Sequence, residues 1–186
     1  LTMPDPQGAG DAPRANVTMW GYDDNENGML SQSRKSDRLP GFTLPDCVRI
    51  AMNDAEALSD ADIIVNAIPV QFIRSVWERI KPVVPIDAAV ISVAKGIENE
   101  TLMRPTQIIA DVLQDNPDAK PRPLGCMSGP AIATELAACL PATMAAASDH
   151  PGFSEVIQNL FSTSWLRIYT NPDLIGVELA GATKNV

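Results

Sequence analysis

Histidine and cysteine are scarce in this chain of 186 residues. It has one histidine, His150, and three widely spaced cysteines, Cys47, Cys126 and Cys139, none of them in a C-x-x-C motif. A structural zinc site needs four ligands, mostly from these two residue types, so none is predicted. An odd number of distant cysteines does not form a disulfide framework, and we interpret all three as small core or near-core residues.

Basic clusters and long apolar runs are also absent. The net charge is -9, and contacts to nucleic-acid phosphates need clustered lysine and arginine, so no nucleic-acid partner is expected. No apolar run approaches the roughly 20 residues that span a bilayer, so no membrane insertion is expected. Residues 1–16 lack the charged start and apolar centre of a signal peptide. These absences predict a cytoplasmic protein.

The chain contains an alternation of buried strands and amphipathic helices from residue 62 onward. Continuous β-branched and apolar runs predict five strands, at residues 62–68, 88–94, 123–127, 143–147 and 166–170. Apolar residues at helical spacing predict the intervening helices, among them residues 101–114, 131–138 and 153–161, and a helix that buries Phe72, Ile73, Val76, Trp77 and Ile80.

The N-terminal third is less regular. Residues 17–20 predict a short strand, and residues 26–46 read as a polar loop. Asn53 and Glu56 resemble a capping box at the start of a short helix.

This alternation predicts an α/β fold with parallel strands, right-handed crossovers and helices on both faces of a doubly wound sheet. Ligands of such sheets bind outside the carboxyl ends of the strands. Lys95 directly follows a predicted strand, and Gly129 follows the next one along the chain. We therefore expect functional residues there, although Lys95 also fits an ordinary surface lysine.

The last fourteen residues, DLIGVELAGATKNV, have helical spacing. Gly176, Ala180 and Lys184 fall on one helix face, so Lys184 projects from a small, apolar surface. An ammonium group in such surroundings is costly unless something uses its charge, so Lys184 is a candidate proton donor or acceptor. The alternative is a surface lysine near a helix C-terminus, which the helix dipole favours.

Three segments together resemble one family: SVAKGIE, SGPAIATELA followed by LPATM, and YTNPDLIGVELAGATKNV, at residues 92–98, 128–144 and 169–186. They are similar to the bacterial-type NAD(P)-dependent glycerol-3-phosphate dehydrogenases. The resemblance implies an oxidoreductase with a Rossmann-like domain that interconverts dihydroxyacetone phosphate and sn-glycerol 3-phosphate by hydride transfer, for glycerophospholipid synthesis. It implies NAD or NADP as cofactor and a phosphorylated small-molecule substrate, and a homodimer is compatible with it.

The resemblance also assigns roles to individual residues. Lys184 corresponds to the catalytic acid/base, and Lys95 to the lysine at the junction of cofactor and substrate. The implied substrate contacts are Lys95, Gly129, Ala131, Lys184 and Asn185. The implied cofactor contacts are Trp20, Tyr22, Pro69, Lys95 and Ala133.

Two positions depart from the family pattern. The family usually carries a hydroxyl residue where this chain has Ala131, so one substrate hydrogen bond is expected to be missing. Tyr22 stands where the family usually has a basic residue or histidine, and it offers no charge for a 2′-phosphate. Asp23 offers an acceptor for a ribose hydroxyl instead. The choice between NAD and NADP stays open, with a slight lean towards NAD.

The resemblance further implies that the chain is partial and inactive by itself. Residues 1–172 correspond to the cofactor domain without its first strand and G-x-G-x-x-G turn, and residues 173–186 to the opening helix of an all-α substrate domain. Gly8 and Gly10 do not form that turn, since no apolar strand precedes them. Two alternatives remain open: a related lysine-dependent dehydrogenase of another 2-hydroxy or keto compound, and a non-catalytic module.

Overall fold

A computed structural model of the chain describes residues 15–114 and 121–184. Within these residues, strands and helices alternate as the sequence predicts, with a 3-10 turn at Lys81–Val83. In chain order the elements are β1 (Thr18–Met19), α1 (Asp24–Ser33), β2 (Arg49–Ile50), α2 (Asp54–Leu58), β3 (Ile63–Asn66), α3 (Val70–Ile80), β4 (Ala89–Ser92), α4 (Pro105–Leu113), β5 (Leu124–Ser128), α5 (Ala133–Ala137), β6 (Ala142–Ser148), α6 (Phe153–Phe161), β7 (Leu166–Asn171) and α7 (Leu174–Thr183).

The described strands form two sheets. β1 and β2 pair in parallel, and a five-stranded sheet has the order β3-β4-β5-β6-β7. In the larger sheet β3, β4 and β5 are parallel to one another, and β6 is parallel to β7. The prediction of an α/β fold with a mostly parallel sheet is confirmed.

One strand pair is an exception, because β5 and β6 are antiparallel, with Cys126 opposite Ala147. Our expectation of parallel crossovers throughout was wrong at this point. The connection contains only α5, whose five residues span about 7.5 Å, so it does not carry the chain back along the sheet. The chain turns round instead, and β6 and β7 run opposite to β3, β4 and β5.

Helices cover both faces of the five-stranded sheet, which explains the continuous apolar strands. On one face α3 and α4 bury Trp77 and Ile109 against Val90 of β4. On the other face α6 buries Ile157 against the next residue of β4, Ile91. One face of the sheet therefore packs α3 and α4, and the opposite face packs α6.

The exposure of two apolar side chains differs from the sequence prediction. The sequence pattern predicts that Phe72 lies on the buried face of α3, but its side chain is 60% exposed, because its neighbours Val70 and Ile73 make the buried stripe instead. The sequence pattern predicts a helix over residues 101–114 that includes Leu102, but α4 begins at Pro105 and Leu102 is exposed in the segment before it. Proline suits the first helical position, since its missing N–H would have no partner there.

Helix α1 was not predicted, because residues 26–46 carry no apolar period. The structure shows a polar helix in which only Asn27 and Leu30 are buried. Its start is stabilised by Asp23, whose carboxylate accepts a hydrogen bond of 2.9 Å from the backbone N–H of Asn25. A capping residue without an apolar stripe after it was not sufficient to predict the helix. The predicted cap of α2 is confirmed in its main feature, since Asn53 accepts from the N–H of Glu56 at 2.9 Å.

Candidate active site

Two lysines meet at the carboxyl ends of β4 and β5. Lys95 follows β4, and Lys184 is the residue at the C-terminus of α7. The Nζ atom of each lies 3.4 Å from the carbonyl oxygen of Gly129, which follows β5. The structure thus brings together three residues that the sequence singled out in three separate segments.

The antiparallel pairing of β5 and β6 is what brings Lys184 to this edge. Helix α7 packs Leu174 and Val177 against Cys126 of β5, and its Gly181 approaches Ser128 at the end of β5. The helix therefore runs alongside β5 in the same direction and opposite to β7. In an all-parallel sheet, a helix returning from β7 would end at the other edge, far from Lys95.

Glycine is needed at two points of this site. A Cβ atom on Gly181 would lie 2.6 Å from Oγ of Ser128, and 3.9 Å from Cγ of Lys95. A Cβ atom on Gly129 would lie 2.7 Å from the carbonyl oxygen of Thr143. The distances of 2.6 and 2.7 Å are too short for a Cβ atom, so the two glycines permit the close approach of α7, β5 and β6.

Burial lowers the pKa of Lys95, and the facing ammonium group of Lys184 lowers it further. Both effects disfavour the charged form, because a partly buried cation loses hydration and meets a like charge. A lysine with a lowered pKa exchanges protons more readily near neutral pH. The pair also places two amine groups beside the carbonyl oxygen of Gly129.

Lys184→Ala is therefore expected to raise the pKa of Lys95 part of the way to its usual value. The rise stays partial because burial, the larger cause, remains. NMR titration of ¹³C-methylated lysines measures it, with the Lys95 signal identified by its loss in Lys95→Arg. Lys81→Ala is the control, since Lys81 binds the carbonyl of Val112 elsewhere. An unchanged Lys95 titration in Lys184→Ala would contradict the coupling.

A groove of about 560 Å³ extends from the lysine at the end of α7 along that helix. It is lined by Gly176, Ala180 and Lys184, which is the helix face predicted from the sequence, and by Gly129 and Pro130 on the opposite side. Its walls are mostly apolar, with the ammonium group of Lys184 at one end. Lys184 thus offers a cation and a proton donor at one end of the groove, and Asp173 adds a carboxylate to its lining.

A buried polar network, which was not predicted from the sequence, precedes Lys95. Asn66 and Ser92 end β3 and β4, and Nδ2 of Asn66 donates to Oγ of Ser92 at 3.1 Å. Nε1 of Trp77 donates to Oδ1 of Asn66 at 3.0 Å. The network joins the ends of two strands and a helix immediately before Lys95. The sequence feature that could have indicated this network is the polar residue at the end of each of two apolar strands.

The segment after Lys95 is anchored to the first turns of α3. Arg74 donates to both carboxylate oxygens of Glu98, at 3.1 and 2.9 Å, and this pairing lowers the pKa of Glu98. Nε2 of Gln71 donates to the carbonyl oxygen of Ile97 at 2.8 Å. Pro69, an expected cofactor contact, is exposed at the start of α3 beside this segment.

Trp20 and Tyr22 lie apart from the two lysines. The guanidinium carbon of Arg79 lies 5.4 Å from the ring centroid of Trp20 and 5.0 Å from that of Tyr22. Arg79 also binds Asp54 through two hydrogen bonds of 2.8 Å. Because Arg79 is ten residues beyond Pro69 on α3, about 15 Å of helix separates the aromatic pair from the carboxyl ends of β3 and β4. No pattern in the sequence predicted this cation.

The remaining expected site residues occupy the connection after β5 or lie beyond it. Ala131 is half-buried two residues after Gly129, and Ala133 is exposed as the first residue of α5. Asn185 lies outside the described residues.

Neither a metal cluster nor a membrane span is found in residues 15–114 and 121–184. These residues contain no group of three or more histidine, cysteine, aspartate or glutamate side chains that could hold a metal ion. None of their helices has the length and apolar composition needed to cross a membrane.

A mostly parallel α/β sheet with helices on both faces, and with two lysines at the carboxyl ends of its strands, is a Rossmann-like fold of the nucleotide-binding type. Comparison with family models matches residues 8–154 to the N-terminus of the NAD-dependent glycerol-3-phosphate dehydrogenases. The chain belongs to this family.

Individual relatives agree with the family model. The chain is 40% identical over 172 residues to glycerol-3-phosphate dehydrogenase (NAD(P)+) 2 of Lactobacillus delbrueckii subsp. bulgaricus, covering 91% of this chain and 50% of the relative. It is 38% identical over 171 residues to the Syntrophomonas wolfei enzyme, covering 91% and 49%. A crystal structure of glycerol-3-phosphate dehydrogenase from Coxiella burnetii has a TM-score of 0.81 and 26% identity, covering 89% of this chain and 49% of that one. The chain spans about half the length of the curated relatives it matches.

Proposed function

We propose that the complete protein interconverts dihydroxyacetone phosphate and sn-glycerol 3-phosphate with NAD or NADP, and so provides glycerol phosphate for glycerophospholipid synthesis. The observation that carries the proposal is the pair of ammonium groups, Lys95 and Lys184, each 3.4 Å from the carbonyl oxygen of Gly129. Two cations beside one cleft suit a phosphorylated substrate on which negative oxygen develops during reduction.

In this proposal Lys184 is the proton donor. It gives a proton to the C2 oxygen of dihydroxyacetone phosphate as negative charge develops there, and takes the proton back in the reverse direction. Lys95 stabilises the same oxygen by its charge. When bound, the cofactor would supply the hydride for the C2 carbon. Gly129 orients both ammonium groups through its carbonyl, and the contact roles of Ala131 and Asn185 are part of the same proposal.

The residues present also fit a cofactor with two distant ends. Lys95, Lys184, Pro69 and Ala133 would face the nicotinamide end. Trp20 and Tyr22 would face the adenosine end. Nε1 of Trp20 is buried without a hydrogen-bond partner among the described residues, so it is a donor that a ligand would satisfy.

The surroundings of Tyr22 favour NAD over NADP. Arg79 places a cation beside Tyr22, but its Nε and Nη2 already donate to the two carboxylate oxygens of Asp54. A 2′-phosphate would have to compete with that carboxylate, and Asp23 adds a further negative charge next to Tyr22. Parallel assays with NADH and NADPH check this preference.

The test is cofactor oxidation by the complete protein, followed at 340 nm with dihydroxyacetone phosphate as substrate. We expect reduction of the phosphorylated ketone and little reduction of dihydroxyacetone. Equal efficiency on both would favour a lysine-dependent dehydrogenase of another compound. If a fluorescence titration shows no binding of NADH or NADPH, the non-catalytic alternative is favoured.

A further inference from the structure

Glu178 is a buried carboxylate on α7 that does not line the groove along this helix. Its side chain is 1% exposed, and it accepts hydrogen bonds from the backbone N–H of Thr106 at 2.9 Å and from the hydroxyl of Thr106 at 2.7 Å. Its third partner is the guanidinium group of Arg104, which is also largely buried. The carboxylate charge is therefore both paired and hydrogen-bonded, as a buried charge requires.

Both partners lie at the start of α4. Arg104 precedes the helix, and Thr106 is its second residue, so the N–H of Thr106 has no acceptor within the helix. Glu178 supplies that acceptor from another helix. Three donors bind the same carboxylate. The contact therefore fixes both the position of α7 along its axis and its rotation relative to the first turn of α4.

This contact joins the two segments that carry the site lysines. Arg104 closes the segment that begins with Lys95 after β4, and Glu178 lies six residues before Lys184 on α7. One turn beyond Glu178, Gly181 packs against Ser128 and the side chain of Lys95. The polar contact at Glu178 and the steric contact at Gly181 together determine the position of Lys184 at the end of α7.

We propose that Glu178 is a positioning residue that sets the spacing of Lys95 and Lys184. The role rests on the proposed function, since it concerns the lysine pair that the function uses. Without the carboxylate, α7 loses its attachment to α4 and can shift or rotate against β5. A misplacement of about 1 Å costs on the order of 100-fold in rate.

Glu178→Gln in the complete protein tests the proposal. It keeps the size of the side chain and removes its charge. We expect kcat to fall about 10- to 100-fold while KM for NADH stays within about twofold, because the cofactor contacts are untouched.

Arg122→Met is the matched control. Arg122 is another buried charge, and it donates to the carbonyl oxygens of Pro85 and Ala88 at 2.7 and 2.5 Å, before β4 and away from the lysines. An equal fall in kcat in both variants would reduce Glu178 to a general stability role and overturn the proposal. So would a folded Glu178→Gln protein with wild-type kcat.

A second measurement does not depend on activity. The NMR titration of Lys95 should move to higher pH in Glu178→Gln, because Lys184 no longer faces it at the same distance. A residue that only stabilises the fold would give no shift to higher pH, because loss of the carboxylate charge by itself disfavours the charged lysine and moves the titration to lower pH. If the wild-type protein lacks the proposed activity but the titration moves, the positioning role stands and the proposed function fails.

A milder pair of variants decides the question if Glu178→Gln does not fold. Thr106→Val removes the hydroxyl donor at constant shape, and Thr106→Ser keeps it. We expect the Lys95 titration to move in the valine variant and to stay in the serine variant. No difference between the two would overturn the proposal.

Discussion

Lys184→Ala is expected to lower kcat by about 10² to 10⁴, with NADH affinity largely retained. The variant removes the group proposed to protonate the substrate oxygen, while Lys95 keeps its place beside Gly129. The charge of Lys95 alone then stabilises the developing oxygen, and the proton must come from water. Steady-state assays with dihydroxyacetone phosphate give kcat, and quenching of protein fluorescence gives NADH affinity.

A second lysine offers the control for this substitution. Nζ of Lys81 donates to the backbone carbonyl of Val112 at 2.9 Å, so Lys81→Ala removes a similar contact away from the cleft. We expect near-normal turnover in Lys81→Ala. Near-normal turnover in Lys184→Ala as well would remove the role assigned to Lys184.

Gly129→Ala is expected to lower kcat by about 100-fold, since its carbonyl orients both lysines and a shift of about 1 Å suffices for such a loss. It should also lower the free energy of unfolding by about 1–3 kcal/mol. The added Cβ atom would lie 2.7 Å from the carbonyl oxygen of Thr143 and 2.9 Å from Cα of Met144. Both are backbone atoms of β6, so neither can move aside as a flexible side chain would.

Urea unfolding and the same kinetic assay measure the two effects of Gly129→Ala. Gly28→Ala is the matched control, because no atom lies within 4 Å of its added Cβ on helix α1. There we expect a gain of about 0.5–1 kcal/mol in stability and unchanged turnover. If Gly129→Ala behaves like Gly28→Ala, the close approach of β5 and β6 is not what holds the site together.

The elements with strong local patterns were predictable from the sequence. Helix α6 has the predicted bounds, Phe153–Phe161, because its apolar residues recur at helical spacing and a proline precedes it. The five strands of the larger sheet lie within a few residues of their predicted positions for the same reason. Helix α1 was not predictable in this way, because a polar helix stabilised by the cap of Asp23 has no apolar residues at helical spacing.

Pairing between distant segments was not predictable in this way. Glu178 and Thr106 are 72 residues apart, and no local pattern in either segment predicts a contact with the other. The same is true of Arg79, whose position against Trp20 and Tyr22 depends on how α3 packs beside β1. Contacts of this kind result from the direction and packing of whole elements.

The sequence by itself determined the alternating α/β elements, the family, and the identity of Lys95, Gly129 and Lys184 as notable residues, because these depend on local composition and spacing. Only the tertiary structure decided that the three meet. The short connection through α5 turns the chain round, so β6 and β7 run against β5. That reversal makes α7 end beside Lys95, and the direction of a strand in a sheet is not a local property of its sequence.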